Sequence, residues 1–222
     1  MQSLPKLLEG VPVTLLLTFV AISAGFAIGL LLALGRVYGK KVISYSCIVY
    51  LEIFRGTPLL VQLFIIYYGL PAVGIIFSPI TAALIGLSLN SGAYQAEYLR
   101  GSIQAIPSSQ MIAGRTLGMT KFQSIRTIIL PQALRISIPA WSNELIYLLK
   151  YTSIVVYIQV RDLTFQAKDI AAQSSRFLET FLVVALIYLL FTFVFSEIVD
   201  RVEKHVRIPG IGLSQTIVKR NA

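Results

Sequence analysis

The sequence predicts an all-α polytopic membrane protein with about five transmembrane helices. Three observations carry that reading. Of 222 residues, 56% are hydrophobic and 13% are charged, about half the charged share of a soluble domain. Apolar runs such as VTLLLTFVAISAGFAIGLLLALG, residues 13–35, exceed the roughly 20 residues needed to cross a bilayer. Basic residues gather in clusters that bracket those runs, which is how topology is set. The net charge of +9 therefore reads as membrane topology, and no nucleic-acid partner is expected. Residues 1–222 read as one transmembrane domain.

Span 1 is expected over residues 12–34, followed by Arg36, Lys40 and Lys41. The apolar run is too long for a signal-peptide h-region, and no clear small-residue cleavage site follows it. Gly25 and Gly29 within it form a G-x-x-x-G pattern, read as close helix packing. A second apolar region, 42–70, is interrupted by EIFRGTP at 52–58. Either it is one crossing, or residues up to Arg55 form an interfacial elbow and the crossing starts near Pro58. The uncharged link PAVGIIFSP leads to span 3, residues 80–98. A loop at about 101–127 follows, and no acid lies between Arg100 and Arg126. Span 4 is expected over 128–158, broken by Pro131 and Pro139. A polar segment of balanced charge, 159–179, precedes span 5 at 180–198. The tail then carries Arg201, Lys204 and Arg207. The two basic loops and the tail fall on one side. The positive-inside rule puts the N-terminus outside and the C-terminus in the cytoplasm.

Cys47 is the single cysteine and lies in an apolar stretch, as a small hydrophobe. His205 is the single histidine and reads as a solvated surface residue. No metal-ligand cluster and no nucleophile–base spacing stands out. Catalytic residues, metal ligands and a cofactor bound by this chain are therefore not expected.

Polar residues inside the spans are the informative exceptions. EIFRG, residues 52–56, and EYLRG, residues 97–101, each place Glu and Arg three apart, where they can pair on one helix face. The glycine that follows ends or loosens the helix. Gln62 lies just past the Gly56–Pro58 break. LNSGAY puts Asn90 and Ser91 in span 3, and NELIYLLKYTS puts Glu144, Tyr151, Thr152 and Ser153 in span 4. Polar groups at membrane depth need partners, because lipid offers none. Interhelical hydrogen bonding explains isolated cases. A polar path between helices explains the cluster, and these seven residues are its candidates.

The loop has its own grammar. Pro107 suits the first turn of a helix. Gly118 suits the residue just past a helix end, where a left-handed conformation is needed. Thr120 with Gln123 forms a capping-box signature for a second helix, and Pro131 follows where that helix meets the membrane. Ile112 and Leu117 supply an apolar face. The unit is shaped to dock into a groove on a partner.

AGRTLG, residues 113–118, with ILP at 129–131, resembles the EAA motif of the membrane permeases of ATP-binding-cassette importers. EIFRGTPLLVQLFIIYYGLP, LSLNSGAYQAEYLRG, IQAIPSSQ, ILPQALR and LLKYTSI are similar to the polar amino acid branch, the histidine, glutamine, arginine and opine permeases. The likeness runs over residues 9–210. It implies a type I importer permease fold in a prokaryotic cytoplasmic (inner) membrane. The loop would then be a coupling helix, with Ile112, Ala113, Gly114, Leu117 and Gly118 at the contact. The implied partners are two ATPase subunits that use ATP and Mg, a second permease chain, identical or not, and an extracytoplasmic substrate-binding protein. The implied cargo is an amino acid. The absence of a G-x-x-x-x-G-K-[ST] loop fits that division of labour. Two positions depart from the family's pattern. Ile112 stands where a Glu is usual, so the docking contact is more apolar. Tyr151 stands where an Asp is frequent, and an acid there would suit a cationic side chain.

Two other readings compete with this one. A secondary transporter or channel would need a self-contained path and internal repeats, and only the short E-x-x-R-G echo is present. A membrane scaffold would not need the polar cluster.

Overall fold

The computed structural model describes residues 3–206. Arg207 and the C-terminus, on which part of the topology expectation rests, lie outside the described residues. Every regular element among the described residues is helical. The chain opens with a short helix, α1 (Ser3–Leu8), absent from the sequence expectation, and continues into α2 (Val11–Tyr38). At 1.5 Å per residue, a 28-residue helix is about 42 Å long, enough to cross a bilayer with a turn to spare at each end.

The second apolar region is not one straight rod. α3 (Lys41–Gly56) ends at the glycine, and α4 (Leu59–Phe64) starts after Pro58. Thr57 is extended, at ψ 146°, as a residue before proline must be. α3 and the segment Leu59–Val73 meet at 102°, the geometry of the elbow alternative. α4 continues as a π turn (Ile65–Gly69) and a 3-10 turn (Leu70–Val73), and Gly74 closes it at φ +84°.

α5 (Pro79–Gln104) runs one turn past Gly101, so that glycine does not end the helix as expected. α6 (Ser108–Thr116) and α7 (Lys121–Ser124) form the loop. α7 does not stop before Pro131. It passes through a π turn (Ile125–Ile129) into α8 (Leu130–Tyr151) and a 3-10 turn (Thr152–Ile158). Neither Pro131 nor Pro139 breaks this rod. Proline removes one backbone donor and crowds the carbonyl four residues back. The wider π turn ahead of Pro131 gives that crowding room. The segment expected to be merely polar, 159–179, contains α9 (Leu163–Ser174), and α10 (Phe177–Val206) closes the described chain.

α2 and α5 pack closely because their facing residues are small. A Cβ on Gly25 would stand 3.1 Å from the Gly92 nitrogen, and one on Gly29 would stand 3.0 Å from the Ala96 nitrogen. The main core joins Leu17, Leu63, Leu87, Leu148 and Val155 from α2, α4, α5, α8 and the following turn. The α1–α2 rod, Leu4–Tyr38, and α10, Phe177–His205, are long and apolar enough to cross a membrane by composition alone. α5 and α8 carry more polar residues, and they meet each other through those residues.

The two ends of α2 mark two faces of the molecule. At its C-terminal end Lys121 donates to the Tyr38 carbonyl (3.2 Å), tying the loop there. At its N-terminal end Thr14 accepts from the Leu163 N–H (3.1 Å), and Lys6 pairs with Asp169 (2.6 Å), tying α9 there.

Asp162 caps α9 at that second face, accepting from the Phe165 N–H (2.8 Å), while its Oδ2 is buried without a partner among the described residues. Burial pushes its carboxyl up to about 6, against the pull of the backbone donors. An acid raised in this way holds its proton more tightly folded than unfolded. Its stabilising contribution is full below about pH 4 and lost as pH rises through about 6. The thermal midpoint of the assembled protein is expected to fall across that window. Asp162→Asn is expected to flatten the fall, because Asn keeps a cap and carries no charge. An equally steep fall in the variant would assign the titration to another group.

Candidate translocation path and coupling surface

The polar residues of α5 and α8 form one hydrogen-bonded group. The Ser91 hydroxyl donates to Glu144 Oε1 (2.8 Å), and the Tyr98 hydroxyl reaches Oε2 (3.4 Å). The Gln95 amide donates to Ser91 Oγ (3.0 Å) and to the Ile22 carbonyl of α2 (3.1 Å). Gln95 Oε1 is buried without a partner among the described residues. Glu144 is only 4% exposed. A carboxyl group at that burial needs hydrogen-bond partners and faces other helices, not lipid. Tyr151 lies within electrostatic reach of Glu144 and Tyr94 and stacks on Tyr147, ring centroids 6.4 Å apart. Tyr147 and Tyr151 are both exposed, so this end of the group opens outward from the chain.

The other candidates lie elsewhere. Gln62 and Asn90 form a second group around the bend between α3 and α4. The Gln62 amide donates to the Phe54 and Thr57 carbonyls (2.8 and 3.0 Å), and Asn90 donates to Phe54 O and Gln62 Oε1 (both 3.0 Å). The broken helix leaves those carbonyls without intrahelical partners, and the two amides serve them. Thr152 follows Tyr151 by one residue, about 100° around the helix. It is fully buried, donates to the Leu149 carbonyl (2.7 Å) and lies near the Tyr188 hydroxyl of α10. Ser153 donates back to the Lys150 carbonyl (2.7 Å). Of the seven candidates, Ser91, Glu144 and Tyr151 come together, Gln62 and Asn90 form a separate pair, and Thr152 and Ser153 serve local backbone. Gln95, Tyr94 and Tyr98 were missed. They stand on the α5 face with Ser91, at spacings of three, four and seven, which a helical period could have found.

The Glu–Arg echo resolves unequally. Glu97 pairs with Arg100 (2.7 Å) as expected, and also with Arg36 and with Arg55 (3.4 Å). Arg55 therefore crosses to α5, and the expected pairing with Glu52 is replaced. One carboxylate ties the ends of α2, α3 and α5.

The loop is helix, turn, helix. Pro107 is the residue before the first helical position, not inside the first turn. Gly118 takes φ +84°, and Met119 N–H donates to the Gly114 carbonyl (3.1 Å) across the turn. Thr120 and Gln123 form both bonds of the capping box. Gly114 is buried, where a Cβ would stand 2.8 Å from Ser124 Oγ and 2.9 Å from Ile128 Cδ1. It lets α6 lie against the rod beginning at α7. Ala113 and Gly118 are exposed. Ile112 (63% exposed), Leu117 (81%) and Phe122 (70%) are apolar and outward on this unit. Apolar side chains so exposed on a structured, capped unit mark a contact surface. Phe122 was the member that sequence reasoning missed.

Comparison with known proteins agrees with this geometry. Residues 25–208 match the family described as binding-protein-dependent transport system inner membrane component. The chain is 41% identical to a probable amino-acid ABC transporter permease protein, YckA, of Bacillus subtilis, over 84% of this chain and 83% of the relative. It is 38% identical to the glutamine transport system permease protein GlnP of Escherichia coli, over 93% and 95%. Its fold superposes on the crystal structure of an amino acid ABC transporter with histidines at TM-score 0.85, with 40% identity over 92% of this chain and 95% of the other.

Proposed function

The chain belongs to the inner membrane components of binding-protein-dependent transport systems, and from that membership we propose that it is the permease subunit of an ATP-driven polar amino acid importer. One observation carries the cargo class: 40% identity across nearly the full length of both chains to a solved amino acid transporter of the same fold. The chain is a transport subunit, not a catalytic one. ATP and Mg are used by two partner ATPase chains. The loop of α6 and α7 docks on them through Ile112, Leu117 and Phe122, with Gly114 and Gly118 setting the shape of the joint.

The span count follows the same reading. α1–α2, the segment after the elbow, α5, α8 and α10 make five crossings. The end of α2 that binds the loop faces the cytoplasm, where the basic residues Arg36, Lys40 and Lys41 lie. The face of α9 then meets an extracytoplasmic binding protein. A second permease chain, identical or not, completes the path, because the exposed Tyr147 and Tyr151 open it to one side. In the path, Tyr151 stands at the open side and helps choose the side chain of a passing amino acid, and the buried Ser91–Glu144 pair behind it sets the polarity of that wall. The mass of the intact complex tests the assembly. Two permease chains with two ATPase chains are expected, and a complex with one permease chain in total would refute the shared path.

Tyr151→Asp is expected to shift preference toward arginine or lysine. The new charge would sit within electrostatic reach of Glu144 in a poorly solvated setting. There a paired cation gains most and an unpaired anion costs most. Competition of cationic, neutral and acidic amino acids against labelled uptake checks it, with the binding protein held constant. Identical profiles in the parent and the variant would place Tyr151 outside the path.

A further inference from the structure

A cavity of about 630 Å³ lies between α1, α9 and the start of α10, away from the Glu144 group. Leu4, Leu7, Ile170 and Val183 line it, with Arg176 and Glu179 among its charged residues. Arg176 directly precedes α10, Glu179 is in its first turn, and Val183 is a turn deeper. From Arg176 to Val183 the helix rises about 10 Å, comparable to the depth from headgroup to acyl boundary. From Leu182 onward the outer face of α10 is apolar, with Leu182, Leu186, Leu190 and Phe193 exposed. The charges therefore stand at the level where a bilayer's polar zone begins, and the apolar wall stands where its chains begin.

We propose that this cavity is a binding site for one glycerophospholipid with a phosphoethanolamine headgroup, taken from the outer leaflet. Arg176 binds the phosphate as a planar donor to paired oxygens. Glu179, three residues on and lining the same cavity, accepts from the ammonium. The acyl chains cover Leu4 and Val183, which are exposed at the rim, above the buried Leu7 and Ile170. The matched signs distinguish this occupant from an anionic lipid, which Glu179 repels, and from a choline lipid, whose quaternary ammonium has no N–H to donate. The proposal rests on α10 crossing the membrane and not on what the complex carries.

The test uses the assembled transporter, exchanged into nanodiscs of equal phosphatidylethanolamine, phosphatidylcholine and phosphatidylglycerol, with retained lipid counted by native mass spectrometry. About one phosphatidylethanolamine per permease chain is expected. Arg176→Glu, on an exposed residue, is expected to lower its retention at least about fivefold, and Val183→Trp to do so by filling the cavity. Glu179→Lys is expected to turn the preference toward phosphatidylglycerol. Assembly of each variant is read from the same spectra, and uptake plays no part in the readout. Equal lipid content and class in the parent and all three variants overturns the proposal. Unchanged lipid with weakened docking of the binding protein also overturns it, and assigns the groove to that partner.

Discussion

Gly118→Val is expected to cut ATP-coupled uptake by at least about tenfold while the complex still assembles. Gly118 sits at φ +84° with no atom near the position its Cβ would take. Crowding is therefore not the cause. A β-branched residue is strongly disfavoured at that φ, at a cost of about 1–3 kcal/mol. The turn can escape only by losing the bonds that define it, Gly118 N–H to the Arg115 carbonyl and Met119 N–H to the Gly114 carbonyl, each 3.1 Å. α6 would then swing relative to α7, and Ile112 and Leu117 would shift relative to Phe122. The membrane segments are untouched, so insertion stands. Gly118→Asn is the milder control, because Asn tolerates the left-handed region. Uptake and ATPase rate in proteoliposomes decide it. Normal substrate-stimulated uptake by the valine variant would sink the coupling role of this loop.

Glu144→Gln is expected to lower uptake by about 10- to 100-fold. Glu144 accepts from Ser91 and Tyr98. The carboxylate's pull on the cargo's ammonium is taken as worth one hydrogen bond to a charged group, about 1.5–3 kcal/mol, and each 1.4 kcal/mol is about a factor of ten. Glutamine keeps the length and one acceptor oxygen, so packing survives and the charge does not. The thermal midpoint of the variant is expected to stay close to the parent's. A variant that transports at the parent rate would reduce Glu144 to a packing residue. Glu144→Ala separates the two roles further, because it leaves the Ser91 and Tyr98 hydroxyls unpaired and so lowers stability as well.

The loop was the most legible part of the chain, because its signals are local. A residue needing positive φ and a reciprocal cap are decided within a few residues, and Gly118, Thr120 and Gln123 behave as their chemistry dictates. The elbow was legible as an alternative, since Pro58 constrains Thr57 whatever surrounds it. Pro131 misled, because a break by proline depends on whether the neighbouring turn can widen, and the π turn ahead of it does; Pro139 sits inside α8 with no such turn. The site was legible only in part. Ser91 and Glu144 are 53 residues apart and meet only through the packing of α5 on α8. Asn90, next to Ser91, points the other way, to the bend at Phe54. Neighbours in sequence are about 100° apart on a helix, so a polar run does not become a polar site. Arg55 shows the same limit: its local partner Glu52 loses to Glu97, which already gathers Arg36 and Arg100.

Uptake of labelled amino acid into proteoliposomes tests the central claim most directly. The chain is reconstituted with its ATPase, its permease partner and its binding protein, with ATP and Mg on the ATPase side. Accumulation is expected that needs all of these, stops without ATP and falls with Gly118→Val. Accumulation by the permease chains alone, driven by an ion gradient and indifferent to ATP, would contradict the account and make the chain a self-contained carrier.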